Sequence, residues 1–229
     1  MSQKIQVVKE QNCENTKPRL LVVTPLLPGH KISKQTKRTI KNNLLPLVWI
    51  ASEGDNNIPT NLELGLKWYK ENHEEIPYYF MLDRDIELGK HCLDRLYDAI
   101  TAAPDYIAFA YASFKYRGHI NADFPARPYD INALVQHNYI SSNSMFKTVI
   151  TEKVELVKED VYKRLLDWAF FLKLFYNEYF GVPVPTAEFV AHSTESDISA
   201  RSPEDYQAKR KLVIEHFVMP IIRKHQNAS

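Results

Sequence analysis

Two carboxylates separated by one residue close an apolar run at Tyr78-Tyr79-Phe80-Met81-Leu82-Asp83-Arg84-Asp85. A run of this length, rich in aromatic residues, predicts a buried strand with the acids standing where it ends. In open α/β sheets, ligands gather beyond the carboxyl ends of strands. Paired oxygen donors there suit Mg²⁺ or Mn²⁺ bound jointly with phosphate, which makes Asp83 and Asp85 candidate metal ligands. Asp-x-Asp also occurs on exposed turns that bind nothing. The apolar lead-in favours function, because neighbouring acids repel unless a cation or solvent relieves them.

A second acid interrupts strongly apolar helical sequence in Leu165-Leu166-Asp167-Trp168-Ala169-Phe170-Phe171-Leu172. Such company raises a carboxyl pKa, a direction that suits a general base acting on a hydroxyl. The alternative is a structural carboxylate, paired with Lys163 or Arg164 or capping a helix end. His192 follows a predicted strand in Phe189-Val190-Ala191-His192-Ser193-Thr194 and is a candidate third metal ligand, although a lone histidine is commonly a hydrogen-bonded structural residue. Nearby Ser193, Ser196 and Arg201 are candidates for phosphate contact or for contact with water alone.

The elements that must position these groups alternate. Leu20 to Thr24 reads as a buried strand closed by Pro25. Ile32, Thr36, Ile40 and Leu44 mark an amphipathic helix, and Leu47 to Ala51 a second strand. The loop Ser52 to Asn57 leads through Pro59-Thr60 into a helix carrying Leu62, Leu66 and Tyr69. After the strand Pro77 to Leu82 come a helix over Cys92 to Ile100 and a strand over Tyr106 to Ala112. This order predicts a mostly parallel sheet covered by helices on both faces. Lys115 to His137 reads as a long surface connection, and the aromatics in and beside it, Phe114, Tyr116, Phe124 and Tyr129, either stack on a ligand or pack the loop down. Ser202-Pro203-Glu204-Asp205 starts a terminal helix.

The chain has 229 residues, with 29 Lys and Arg against 28 Asp and Glu, so it lacks the basic excess expected of a non-specific nucleic-acid binder. The length suits one domain over 19–229, preceded by a flexible segment over 1–18. Cys13 and Cys92 have no metal-type spacing. With no leading apolar segment, they point to a reducing, cytoplasmic setting. Leu165 to Phe180 carries too many polar residues for a bilayer span. Lys209-Arg210-Lys211 reads as a solvated helix face or a site of peripheral membrane contact.

In motif order the chain resembles family-2 glycosyltransferases across Arg19 to Arg201. The resemblance implies a GT-A fold, a Rossmann-like three-layer α/β/α arrangement with a mostly parallel mixed central sheet. It implies donor contacts at Thr24 and Pro25 in the opening strand, at Glu53 and Asp55 in the acidic loop, and at Asn61 where a helix begins. Asp83-Arg84-Asp85 looks like the metal-binding triplet, with Arg84 facing donor phosphate or solvent. Leu166-Asp167-Trp168 looks like the segment carrying the base, Tyr139 to Lys147 is similar to the acceptor side, and His192 to the late histidine of many members. The implied activity is inverting transfer from a nucleotide-sugar donor, a UDP-sugar first, to a glycan or glycoconjugate, with Mn²⁺ or Mg²⁺ as cofactor. Three departures stand out: no asparagine follows Pro25, Glu53 replaces the commoner aspartate, and Leu166 replaces an acid that often precedes the base. Two other readings are a non-catalytic carbohydrate-binding protein and a Mg²⁺-dependent phosphatase. The second fits poorly because Ile86-Glu87 stands where a glycine and a Ser or Thr are expected.

Overall fold

The structure is a computed structural model describing residues 3–14, 16–74, 76–193 and 202–227. Its first half runs β1 (Lys4–Gln11), β2 (Leu20–Leu26), α1 (Lys34–Thr39), β3 (Leu47–Glu53), α2 (Ile58–Asn72), β4 (Tyr78–Met81), β5 (Ile86–Leu88) and α3 (Cys92–Ala102). Then follow β6 (Ile107–Gly118), β7 (Ala122–Phe124), α4 (Ile131–Leu134), β8 (Met145–Lys147), α5 (Ile150–Lys153), α6 (Leu166–Tyr176), β9 (Phe180–Ser193), α7 (Pro203–Val213) and α8 (Met219–Asn227).

One sheet has the order β1-β3-β2-β4-β8-β6-β9-β5, with β7 on β6. β2 is buried along its whole length and pairs parallel with β3 and β4, as its uninterrupted apolar sequence requires. β6 and β9 are also parallel, whereas β1, β5, β7 and β8 enter antiparallel. The sheet is therefore mixed, with its parallel β-α-β character concentrated at β3-β2-β4. Strand alternation divides the core in two. Leu21, Val23, Ile50, Tyr79 and Met81 face α2, α6 and the C-terminal helices. Leu20, Val22, Trp49, Phe80 and Leu82 face α3 and Ile40. The three layers are those predicted.

Three segments differ from their sequence reading. Lys4–Gln11, taken as part of a flexible tail, is an edge strand on β3. Val7 pairs with Ile50 and, after a register shift, Lys9 pairs with Trp49, so odd-numbered residues face one core before the shift and the other core after it. That bulge breaks the period of two on which a strand reading depends. The supposed loop Lys115 to His137 holds the end of β6, all of β7, and α4. Its aromatics pack down: Phe114 stacks on Phe124 at 4.6 Å and on Phe189 at 5.7 Å between ring centroids.

The helix expected to reach Leu44 stops at Thr39 and continues as one 3₁₀ turn. Asp94 takes the backbone N–H of Leu44 and Leu45 at 2.8–3.0 Å and draws the chain away. The terminal helix begins as predicted, with the Ser202 hydroxyl accepting from Asp205 N. Two side chains of its basic cluster are engaged, Lys209 with Asp205 at 3.1 Å and Arg210 donating to the Gln136 carbonyl at 2.9 Å. No described helix is long and apolar enough to cross a membrane.

α2 lies close to the sheet because Gly65 has no side chain. A Cβ there would stand 2.8 Å from Val23 Cγ1 and 3.0 Å from Ser52 Oγ. Gly65→Val is expected to destabilise the fold by about 1–3 kcal/mol, read as a lower urea midpoint at unchanged slope.

Candidate active site

Asp83 lies two residues beyond the end of β4, and the alternation of the strand carries Tyr79, Met81 and Asp83 onto the wall of one cavity. Its backbone N–H donates to Asn143 Oδ1, and its Oδ2 accepts from Asn143 Nδ2, both at 2.8 Å. Burial pushes the Asp83 carboxyl up to about 6, and the neighbouring Asp85 adds to this; the Asn143 amide opposes the shift, Asp167 adds a smaller upward push and Arg84 a downward one. Asp85 lies in the turn before β5, 3.9 Å from the Arg84 guanidinium. The Arg84 carbonyl anchors that turn, accepting from Ser33 N at 2.8 Å and Thr36 Oγ1 at 2.9 Å.

Asp167 is the second residue of α6, whose N-cap, Leu165, offers no side-chain acceptor. Its Oδ1 accepts from Trp168 N at 2.8 Å and its Oδ2 from Asn138 Nδ2 at 3.0 Å. A carboxylate in the first helical turn is favoured by the exposed N–H groups and the macrodipole. Burial still prevails: it lifts the Asp167 carboxyl to about 6, against the lowering effect of the backbone N–H groups of Trp168 and Asp167 and of Asn138. Helix capping and a raised pKa thus coexist in one residue. Arg164 turns away from it, donating to the Ser202 carbonyl at 2.9 Å.

Two cavities meet at these acids. The larger, about 320 Å³, runs between the start of α2 and α6, with Asn57, Leu62, Met81, Phe146 and Phe170 on its walls and Lys163 at its edge. The smaller, about 240 Å³, is bounded by Asp85, Tyr116, Phe124, Asn138, Ser141 and His192. Asp83, Tyr116, Ser142 and Asp167 line both. His192 therefore shares a cavity with Asp83 and Asp85, but its Nε2 is paired with Glu87 at 3.1 Å. Among the described residues, no three His, Cys, Asp or Glu side chains are grouped to hold a metal ion.

Of the other sequence candidates, Ser193 borders the smaller cavity, whereas Thr24, Pro25, Glu53, Asp55, Asn61 and Arg84 line neither. Thr24 is fully buried on the face toward α3, its hydroxyl accepting from Trp49 Nε1 at 2.9 Å, and Pro25 is buried beside it. Asn61 is also fully buried and acts as a brace: it accepts from Asp55 N at 3.0 Å and donates to the carbonyls of Leu26 at 2.7 Å and Asp55 at 2.9 Å. It ties the loops after β2 and β3 together. Glu53 accepts from Gly29 N at 3.3 Å, and Asp55 is exposed, accepting from Asn57 N at 2.8 Å. Ser193 accepts from Ile120 N at 2.8 Å, while Ser196 and Arg201 lie outside the described residues. Sequence reading missed Asn138 and Asn143, whose only signal was the polar character of their segment.

No family model matches the sequence, and no curated protein does. Solved structures match by shape. Residues 1–349 of S. aureus TarS in complex with UDP superpose with a TM-score of 0.60 at 13% identity, covering 87% of this chain and 66% of that one. The same protein in complex with UDP-GlcNAc gives a TM-score of 0.62 at 15% identity, covering 85% of this chain and 65% of that one. The fold is GT-A-like. At such identities the likeness is one of architecture, and the chain spans just under two thirds of the TarS chains. In this GT-A-like frame the larger cavity opens at the carboxyl ends of β2, β3 and β4, where α/β sheets receive nucleotides. The smaller lies across Asp83 and Asp167 from it.

Proposed function

We propose that the chain is an inverting, metal-dependent glycosyltransferase of family-2 type, acting between a nucleotide-sugar donor and a hydroxyl of a glycan or glycoconjugate. One observation carries the reading: on a GT-A-like fold, two half-buried acids from different elements, Asp83 and Asp167, line the junction of two cavities. TarS binds UDP and UDP-GlcNAc, which makes a UDP-sugar the first donor to test.

The donor occupies the larger cavity, with its nucleotide toward Asn57 and its sugar between Asp83 and Asp167. The acceptor occupies the smaller one, with Tyr116 and Phe124 offering apolar faces and Ser141 a hydroxyl to a sugar ring. Asp167 takes the proton of the acceptor hydroxyl as its oxygen attacks the anomeric carbon from the side opposite the diphosphate, so the configuration inverts. The nucleotide diphosphate leaves with the electron pair of the broken C–O bond.

The residues fit a divalent cation. The charge on Asp85 disfavours the ionised form of Asp83, and a cation bound between the two carboxylates, with phosphate oxygens and water as its other ligands, would relieve it. Asp83 and Asp85 would hold Mn²⁺ or Mg²⁺, with His192 available once released from Glu87. The bound ion supplies positive charge to the departing diphosphate. Both cysteines are free, which suits a cytoplasmic setting.

Incubation with a panel of UDP-, GDP- and dTDP-sugars plus Mn²⁺ is expected to release nucleotide from at least one donor, by slow hydrolysis even without acceptor. UDP binding without release from any donor would favour a carbohydrate-binding protein instead. Phosphate release from simple phosphomonoesters would point to a phosphatase.

A further inference from the structure

Both acids of the centre are held from one place. Asn138 donates through Nδ2 to Asp167 Oδ2 at 3.0 Å. Five residues on, Asn143 donates through Nδ2 to Asp83 Oδ2 and accepts from Asp83 N through Oδ1, each at 2.8 Å. The contacts differ in kind. Asn143 grips both the backbone and the side chain of its acid, fixing where the chain leaves β4. Asn138 grips the carboxylate alone, while Trp168 N holds the other oxygen.

The segment between them is itself anchored. Asn138 Oδ1 accepts from Ile140 N at 3.1 Å, Asn143 N donates to Ser141 Oγ at 3.2 Å, and Ser144 Oγ donates to the Ser141 carbonyl at 2.7 Å. Tyr139 and Ile140 are buried, with Arg127 over the Tyr139 ring at 3.9 Å and Asp130 N donating to its hydroxyl at 2.8 Å. Asn143 is only 3% exposed. An amide fixed this firmly loses little entropy in orienting a carboxylate, and it cannot swing to solvent to release it.

We infer that Asn138 and Asn143 are the positioning residues of this centre, one segment aiming the base and the cation-binding acid through separate amides. The inference rests on the roles given above to Asp167 and Asp83, and its consequences are separable. Loss of Asn138 removes a donor that favours the Asp167 carboxylate and leaves Asp83 clamped. Loss of Asn143 frees Asp83 and leaves the base held. The charged or titratable groups that share a cavity with Asp167 are Asp83 and Asp85 beyond β4, His192 on β9, Tyr116 on β6, and Asp160, Lys163 and Arg164 ahead of α6. None of them is altered by the substitutions.

The test uses the full chain and two probes that need no turnover. One is the pH titration of aspartate carboxyl ¹³C signals, with Asp167 assigned from Asp167→Asn. The other is calorimetric titration with Mn²⁺ in the presence of UDP. Asn138→Ala is expected to move the Asp167 titration up by about one unit with Mn²⁺ affinity changed less than about two-fold. Asn143→Ala is expected to weaken Mn²⁺ about ten-fold or more and to leave the Asp167 titration in place. Ser at each position is the second variant, retaining a small polar group should Ala fail to fold. If both substitutions shift both readouts together, or neither shifts its own, the inference is overturned. Failure of the unmodified protein to bind UDP and Mn²⁺ would instead count against the proposed function, and would leave the Asn138 arm measurable.

Discussion

Asp167→Asn is expected to lower turnover by about 10² to 10⁴ while leaving UDP affinity within about two-fold, because the amide keeps the shape of the base and cannot take the acceptor proton. Wild-type turnover should carry its own signature. With the Asp167 carboxyl raised to about 6 by burial, the rate rises with pH through that value and falls about ten-fold per unit below it. The low-pH limb should be absent from the residual activity of the variant. Stability gives a control on the interpretation. A carboxyl whose folded pKa is raised contributes stability below the unfolded value that is lost as pH rises through about 6. At pH 7 the neutral amide escapes that penalty, so the melting temperature should stay at or above that of the wild type. Near-normal turnover in Asp167→Asn would remove Asp167 from the role of base.

The second large effect concerns the acids beyond β4. Chelation of divalent cations, or Asp85→Ala with Mn²⁺ present, is expected to weaken UDP binding by about 10- to 100-fold in calorimetry. Asp85 is the better residue to change, since Asp83 is also clamped by Asn143 and its loss would disturb the turn. His192→Ala should have the smaller effect, because its Nε2 already faces Glu87. UDP affinity indifferent to both chelation and Asp85→Ala would exclude the metal reading and leave the GT-A-like fold untouched.

The parts of this molecule legible in its sequence are those where one short-range pattern has one physical cause. Leu20 to Val23 and Leu47 to Ala51 are apolar throughout because both faces of those strands are covered, and they are found in β2 and β3. Asp167 could be singled out because an acid among Trp168, Phe170 and Phe171 must be desolvated wherever that helix packs. The readings that failed involve pairing partners. The bulge at Val7 to Lys9 hid β1, and β7 is three residues that become a strand only against β6. Thr24 and Asn61 matched positions expected to touch a donor, but their polar groups are spent on Trp49 and on the loops after β2 and β3.

The sequence by itself determined the α/β alternation, the strand that delivers Asp83 and Asp85, and the desolvation of Asp167, since each follows from the character of adjacent residues. Only the tertiary structure decided that Asp83 and Asp167 line the same two cavities, that His192 is paired with Glu87, and that Asn138 and Asn143 grip the two acids from one segment. The physical reason is distance along the chain. Hydrogen bonds such as Asn143 to Asp83, 60 residues apart, leave no periodicity or propensity behind, because an asparagine bonded to a distant carboxylate and one bonded to water are the same letter.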